Sequence, residues 1–138
     1  MGKFTIDMDQ WATKVLNRAD DVVREATALV FEDVVMLSPV KTGRFRANWL
    51  VGRNFRPTAY FPNVYDPAGT TAKAHIRSQL SKAKAGDTIH LVNNAPYATM
   101  LELGWSQQAP AGMVRIASKR FTRYVAQVAE KKKNDRGR

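Results

Sequence analysis

The side chains that could do chemistry in this chain are two histidines, a lone carboxylate in a distinctive segment and several serines. His75 and His90 have no histidine or carboxylate at the spacing of metal ligands, so we expect neither a metal site nor a cofactor. Serines occur without a Gly-x-Ser-x-Gly turn, and a chain without cysteine has no thiol nucleophile. No glycine-rich phosphate loop is present.

The lone carboxylate is Glu102, the single acid in a stretch from Asn93 to Arg115 that is rich in Gly, Pro and aromatic residues. Catalysis by a carboxylate normally uses a second tuned group, and the sequence offers none beside it. Between Leu101 and Leu103, such a residue is more typical of a helix cap or of an arginine pair. The sequence therefore predicts that the protein is not an enzyme and that this stretch is a surface for another protein.

Charge is the strongest feature of the composition. The 138 residues carry a net charge of +10, and residues 113–138 contain nine Lys and Arg against two acids. One interpretation is a basic arm that contacts DNA or an acidic partner, and the other is a solvated helix face with a disordered end. We expect one domain over residues 1–130 and a basic flexible tail over 131–138, in which the candidate contact residues are Lys131, Lys132, Lys133, Arg136 and Arg138.

Membrane insertion is not expected. The longest strictly aliphatic run, Val34 to Leu37, is far shorter than the ~20 residues of a membrane span. The N-terminus lacks the apolar region of a secretory signal, and the absence of cysteine suits a reducing cytoplasm.

The periodicity of apolar residues predicts a long first helix from about Asp9 to Leu37, ended by Ser38-Pro39. Its stripe comprises Trp11, Val15, Ala19, Val22, Ala26, Leu29 or Val30, Val34 and Leu37. Alternation over Phe45–Val51 then predicts a strand, although a single helical turn over 43–48 is an alternative. Residues 54–70, with three prolines, are predicted to be a long loop.

Four elements follow this loop. We predict them over residues 70–84 (helix), 88–92 (strand) and 97–103 (short helix), with a last helix from 110 or 112 to 130. Ala72, Ile76 and Leu80 define the apolar side of the first, and Ile89 and Leu91 point inward from the strand. The order predicts an α+β fold, in which a long N-terminal helix and a C-terminal helix pack on a small, mainly antiparallel sheet.

Nucleic-acid binding is the main alternative function. Basic and aromatic residues interleave from Lys41 to Tyr65, as they do in surfaces that combine phosphate contacts with base stacking. The same pattern also arises when Phe45 and Trp49 face the core while Arg44 and Arg46 face water. The chain matches no helix-turn-helix, zinc-finger or RNA-recognition signature. A basic DNA-binding accessory protein therefore stays as the second hypothesis.

Two segments resemble one protein family. Ser38 to Trp49 reads SPVKTGRFRANW and resembles the SPVDTGRLRxxW signature of the neck and tail-completion proteins of tailed bacteriophages. Asn93 to Arg115 resembles the second block of that family, in the same order and separation. The chain departs from the family pattern at Lys41, Phe45 and Trp105, where Asp, Leu and a small or polar residue are usual.

The resemblance implies a small α+β subunit of the virion, made in the host cytoplasm and placed at the head–tail junction. It implies a homo-oligomeric ring, with a hexamer favoured, between the head connector or stopper and the tail terminator or tail tube. The genome would pass through the channel, and non-specific DNA contact is left open. Under the resemblance, Thr42, Gly43 and Arg44 form a structural turn, and Arg44 pairs with Glu102. The interface residues are Tyr97, Leu101, Glu102, Gly104 and Trp105, with plain core packing as the alternative for Tyr97 and Leu101.

Overall fold

A computed structural model describes residues 3–7, 19–84 and 86–136, and it has an α+β architecture as predicted. The three strands are β1 (Lys3–Asp7), β2 (Trp49–Arg53) and β3 (Thr88–Asn93). The six helices of the described residues are α1 (Ala19–Leu37), α2 (Arg44–Ala47), α3 (Thr70–Leu80), α4 (Ala98–Glu102), α5 (Val114–Ser118) and α6 (Phe121–Arg136).

The sheet has the order β1-β3-β2, and both pairings are antiparallel. Leu91 of β3 lies opposite Phe4 of β1 on one side and Val51 of β2 on the other. Ile89, Leu91 and Val92 are buried, as a central strand requires. The predicted strand over 88–92 is thus confirmed, whereas β1 was not predicted at all.

Helix α1 is the centre of the helical layer and packs against α3, α5 and α6. Four residues of the predicted stripe, Val22, Ala26, Val30 and Val34, are buried, and so are Val23, Phe31 and Val35 beside them. A stripe this wide suits a helix covered by three neighbours. The predicted stretch 9–18, with Trp11 and Val15, lies outside the described residues.

Charged side chains also join α1 to its neighbours. The guanidinium of Arg77 on α3 pairs with Glu25 at 2.5 Å and with Glu32 at 2.7 Å, and Arg120 pairs with Asp33 at 3.0 Å. Hydrogen bonding to Glu32 raises the pKa of Arg77 above its ordinary value. These groups are partly exposed, so each pair adds about 1 kcal/mol or less. Apolar burial around α1 therefore dominates the stability of this layer.

The strand predicted over Phe45–Val51 is wrong in its first half, because Arg44–Ala47 is a helical turn and β2 begins only at Trp49. The alternative of one turn at 43–48 is the better prediction. A helical turn places Phe45 and Trp49 on one side, with their rings 5.6 Å apart in an edge-to-face arrangement. Both predictions bury the same two aromatics, which is why alternation alone could not separate them.

The last helix begins later and extends further than predicted. Gly112 has a φ of +83° and lies outside it, so α5 starts at Val114, and a break at 119–120 separates α5 from α6. Helix α6 then continues to Arg136, which corrects the predicted helix end at residue 130. Arg138 lies outside the described residues.

Candidate interaction site

The first segment of the resemblance begins where α1 ends. The hydroxyl of Ser38 is buried, donates to the carbonyl of Val34 at 2.7 Å and accepts from Nε1 of Trp49 at 2.8 Å. Proline at 39 prevents the helix from continuing. Ser38 therefore ends α1 and at the same time fixes the indole at the start of β2.

Arg46 closes the same helix end. Its guanidinium donates to the carbonyls of Met36 (2.9 Å), Ser38 (3.2 Å) and Pro67 (2.8 Å). The last carbonyls of a helix have no partner within the helix and carry partial negative charge, so a cation with several donors suits them. Arg46 is thus a structural residue that ties the loop at Pro67 to the end of α1.

The predicted turn at Thr42 and Gly43 is confirmed. Gly43 has a φ of +92°, and a Cβ at this position would lie 2.3 Å from the backbone nitrogen of Pro67. Its carbonyl accepts from the amides of Ala47 and Asp66, both at 3.0 Å. The hydroxyl of Thr42 accepts from the amide of Arg44 at 3.3 Å. Glycine is required here by both backbone conformation and close approach.

The predicted pair between Arg44 and Glu102 does not form. Arg44 instead donates to the hydroxyl of Tyr65 at 3.2 Å, with its guanidinium carbon 5.5 Å from the ring centre. Glu102 pairs with Arg115 at 3.2 Å. The sequence could not distinguish these arginines, because the choice depends on how the loop after Gly104 returns to the core.

Glu102 is a helix cap, one of the two roles that its sequence context favoured. One carboxylate oxygen accepts from the amides of Met113 (3.0 Å) and Val114 (2.9 Å), and the other from the amide of Arg115 (3.1 Å). Only 7% of the residue is exposed. Carboxylate groups at a helix start satisfy its free amides and suit the positive end of its dipole. Glu102 therefore fixes α4 to the start of α5.

Helix α4 ends at Gly104 as predicted. The amide of Gly104 donates to the carbonyl of Leu101 at 3.1 Å, and that of Trp105 donates to Met100 at 3.2 Å. This pair of bonds is a Schellman motif with Gly104 at the left-handed C′ position, φ +95°. A Cβ at Gly104 would meet the carbonyl oxygen of Pro110 at 2.3 Å. The motif turns the chain so that Trp105 projects from the surface into solvent.

The predicted interface residues divide into two groups. Tyr97 and Leu101 are half-buried and pack on the core, and the Tyr97 ring lies 5.9 Å from that of Phe45. Burial, followed by its contact with Tyr60, raises the pKa of the Tyr97 hydroxyl. Trp105 forms the second group and is 74% exposed, as is its neighbour Leu103 at 61%, a residue that the sequence did not single out. A tryptophan this exposed at the tip of a rigid turn is typical of a binding surface.

The two segments of the resemblance meet across a groove of about 640 Å³. Gln108 spans it, because its side-chain amide accepts from the amide of Val40 at 2.8 Å and donates to the carbonyl of Val40 at 3.0 Å. The groove is lined by 39–45 on one side and by Tyr97, Leu101, Ser106 and Gln108 on the other. We call this feature the two-segment groove.

The sequence did not single out the asparagines that hold this region together. Asn93 donates to the carbonyl of Phe45 at 2.8 Å, and Asn94 donates to the carbonyls of Pro57 (3.1 Å) and Ala59 (2.9 Å). Asn93 thus fastens α2, and Asn94 fastens the loop at 57–59, to the end of β3. The Asn93-Asn94 doublet could have indicated this role, because asparagine is uncommon at the end of a buried strand unless its amide has hydrogen-bond partners.

The basic residues of the C-terminus lie on α6. Lys131 and Lys133 are exposed, whereas Lys132 is half-buried beside Asp21 and Glu25 in a small cleft. The backbone of Arg136 is helical, and its side chain is not described. Two of the predicted contact residues are therefore exposed, and a third lines a cleft of mixed charge that also contains Arg24 and Arg77.

Neither histidine shows the surroundings of a metal ligand. Nε2 of His75 accepts from the amide of Val51 at the free edge of β2, at 3.0 Å, and burial lowers the pKa of this imidazole. In the part of the chain that the structure describes, no three His, Asp or Glu residues cluster at metal-binding distance. Nor does any helix there have the length and apolar character needed to cross a membrane.

Comparison with known proteins found no similar protein. A scan against protein-family models gave no match, and searches of curated proteins and of solved structures gave none either.

Proposed function

We propose that this protein is a structural subunit of the head–tail junction of a tailed bacteriophage. The observation that carries the proposal is the pairing of Val40 with Gln108. It brings together the two segments that resemble neck and tail-completion proteins, through two residues that are 68 positions apart in the chain. Residues such as Gly43, Glu102 and Gly104 support it, because each has a structural role that explains its place in those segments.

The proposed subunit assembles into a homo-oligomeric ring between the head connector or stopper and the tail terminator or tail tube. Trp105 and Leu103 are the contact residues that we propose for a neighbour, since they are large, apolar and exposed. The role is structural rather than catalytic. Its support is that Glu102 and His75, the two side chains most open to a chemical role, both accept hydrogen bonds from the backbone.

The decisive experiment is to look for the protein in purified particles. Mass spectrometry of virions and negative-stain images of the neck, with an antibody against this chain, should place it at the junction between head and tail. Light scattering of the recombinant protein then gives the number of subunits in a ring. Particles that assemble normally and contain none of this chain would reject the proposal.

A second candidate function, a DNA-binding accessory protein, is favoured by the distribution of charge. Several acids pair with arginines within the fold, whereas Lys119, just after α5, and Arg123, Lys131 and Lys133 on α6 are exposed. Duplex binding by these residues should weaken with salt. A plot of the logarithm of the association constant against the logarithm of salt concentration should have a slope of about −0.9 for each phosphate neutralised. A chain shortened to 1–130 should bind as tightly as the full chain if the end of α6 is not involved.

A further inference from the structure

Arg44 differs from most of the other described arginines because no carboxylate pairs with its guanidinium. Five described arginines pair with acids, namely Arg24, Arg53, Arg77, Arg115 and Arg120. The guanidinium of Arg44 contacts the hydroxyls of Tyr65 and Tyr97, which are neutral, and its Nε is shielded from solvent without a hydrogen-bond partner. A guanidinium in this state still has donors for a bidentate acceptor.

The surroundings of Arg44 are apolar and basic. It lines the two-segment groove together with Lys41, which is exposed, and neither is balanced by an acid among the lining residues. Phe45, Tyr97 and Leu101 provide an apolar surface in the same groove. No acid is among the residues that line the groove, so neither cation is neutralised by an ion pair within the lining.

The groove is also preorganised. Tyr65 holds the guanidinium of Arg44 from the side, by a hydrogen bond and by contact with its ring. Gln108 and Val40 hold the two walls at a fixed separation. A site whose groups are already in place loses little entropy on binding, and a volume of about 640 Å³ is typical of ligand sites.

We propose that the two-segment groove binds an extended acidic peptide segment of another protein. A carboxylate of that segment binds Arg44 and Lys41, and a neighbouring aliphatic side chain packs on Tyr97 and Leu101. The inference goes beyond the proposed function and does not depend on it, because it rests only on the chemistry of the groove.

Two other occupants fit less well. A second copy of this chain carries a net charge of +10, and many of its acids, such as Glu25, Glu32 and Asp33, already have cationic partners. Nucleic acid is recognised by rows of cations and stacking rings on open surfaces, whereas this groove combines two cations with an aliphatic and aromatic lining. Charge complementarity therefore selects an acidic protein segment.

Fluorescence polarisation with defined peptides tests the proposal. The probe is a fluorescein-labelled peptide that repeats glutamate, leucine and glycine, compared with peptides in which glutamine replaces glutamate or serine replaces leucine. We expect the probe to bind about tenfold more tightly than either comparison peptide, which corresponds to about 1.4 kcal/mol. Arg44→Gln should weaken binding about tenfold, whereas Arg123→Gln, the same charge change on α6, should alter it less than about twofold.

Equal affinity for the serine peptide, or for a short DNA duplex, would overturn the proposal, because it would mark a generic basic surface. An Arg44→Gln variant that folds and binds like the original protein would overturn it too. Amide chemical-shift mapping on the unaltered chain guards against a misfolded variant. Shifts at Arg44, Leu101 and Gln108 support the groove, and shifts confined to α6 contradict it.

Discussion

Asn48 and Phe61 pair through two hydrogen bonds that run in opposite directions. The side-chain oxygen of Asn48 accepts from the amide of Phe61 at 2.7 Å, and its Nδ2 donates to the carbonyl of Phe61 at 3.0 Å. The same Nδ2 donates to the carbonyl of Arg44 at 2.7 Å. One buried side chain thus connects α2, β2 and the loop of residues 54–69 that carries the exposed Phe61 and Tyr65.

Removing this amide should therefore destabilise the whole protein. We expect Asn48→Ala to lower the free energy of unfolding by about 2–3 kcal/mol, because it leaves buried backbone groups without partners. Urea denaturation followed by tryptophan fluorescence measures the change. Asn63→Ala, an exposed amide in the same loop, should change stability by less than about 0.5 kcal/mol. Equal losses in the two variants would show that Asn48 does not anchor the loop.

Glu102→Gln tests the cap between α4 and α5. The amide has one acceptor oxygen in place of two and brings donors toward backbone amides, so we expect a loss of about 2 kcal/mol in the free energy of unfolding. Arg115→Gln loses the ion pair and the bond from the guanidinium to the Glu102 carbonyl, but the Arg115 side chain is half exposed and the three backbone amides keep their bonds to the Glu102 carboxylate. It should therefore cost less than about 1 kcal/mol. If Arg115→Gln were the more damaging variant, the ion pair rather than the cap would dominate.

Gly104 and Gly86 separate two costs of adding a methyl group. Both have positive φ, +95° and +92°, but only at Gly104 would a Cβ collide with backbone, at 2.3 Å from the Pro110 carbonyl. We expect Gly86→Ala to cost about 1 kcal/mol from conformation alone, and Gly104→Ala to cost at least about 2 kcal/mol more. Thermal unfolding of both variants measures the difference. Similar costs would mean that the loop at Pro110 moves away freely.

The pH dependence of stability should contain a contribution from His75. Burial lowers the pKa of its imidazole in the folded protein, so the unfolded chain binds a proton more readily below about pH 6.5. The contribution of His75 to the free energy of unfolding is therefore fully present above that pH and is lost as the pH falls below it. His75→Gln keeps an acceptor for the Val51 amide and should flatten this slope. Urea unfolding between pH 5 and 8 measures it, and His90→Gln shows how much belongs to the other histidine.

Most helices and strands of this fold can be predicted from the sequence, because local residue patterns determine them. The apolar side of α3 and the inward residues of β3 were predicted correctly from periodicity alone. Gly43 and Gly104 were predicted from residue type, since few other residues adopt positive φ. Strand β1 was missed although Lys3–Asp7 alternates polar and apolar residues, because a five-residue segment is short and its partner strand β3 lies 80 or more residues away.

The candidate site was only partly accessible for a related reason. The two segments and their likeness to a family could be recognised in the sequence. The partners of Glu102 and Arg44 could not, because they depend on how loops return to the core. Long-range bonds from side chains to backbone, such as those of Asn94, leave no periodic pattern. Helix α6 extends past residue 130 although its last turns are nearly all polar, and composition alone had predicted a flexible tail.

Trp105 provides the sharpest test of a contact surface at the head–tail junction. The side chain is mostly exposed, so Trp105→Ser should change the free energy of unfolding by less than about 0.5 kcal/mol. A tryptophan at the centre of an interface often contributes 2 kcal/mol or more, which corresponds to about 30-fold weaker association. When the variant and a tagged unaltered chain are co-expressed during infection, purified particles should contain far less of the variant.

Phe55→Ser is the matched control, because Phe55 is also an aromatic residue exposed in a loop but lies outside both segments of the resemblance. It should enter particles at the same ratio as the unaltered chain. If Trp105→Ser entered particles equally well, the segment after Gly104 would not be a contact surface, even where the protein itself is present in the neck. If both variants were excluded, the interface would extend to the loop of residues 54–69, which Asn48 and Asn94 both anchor to the core.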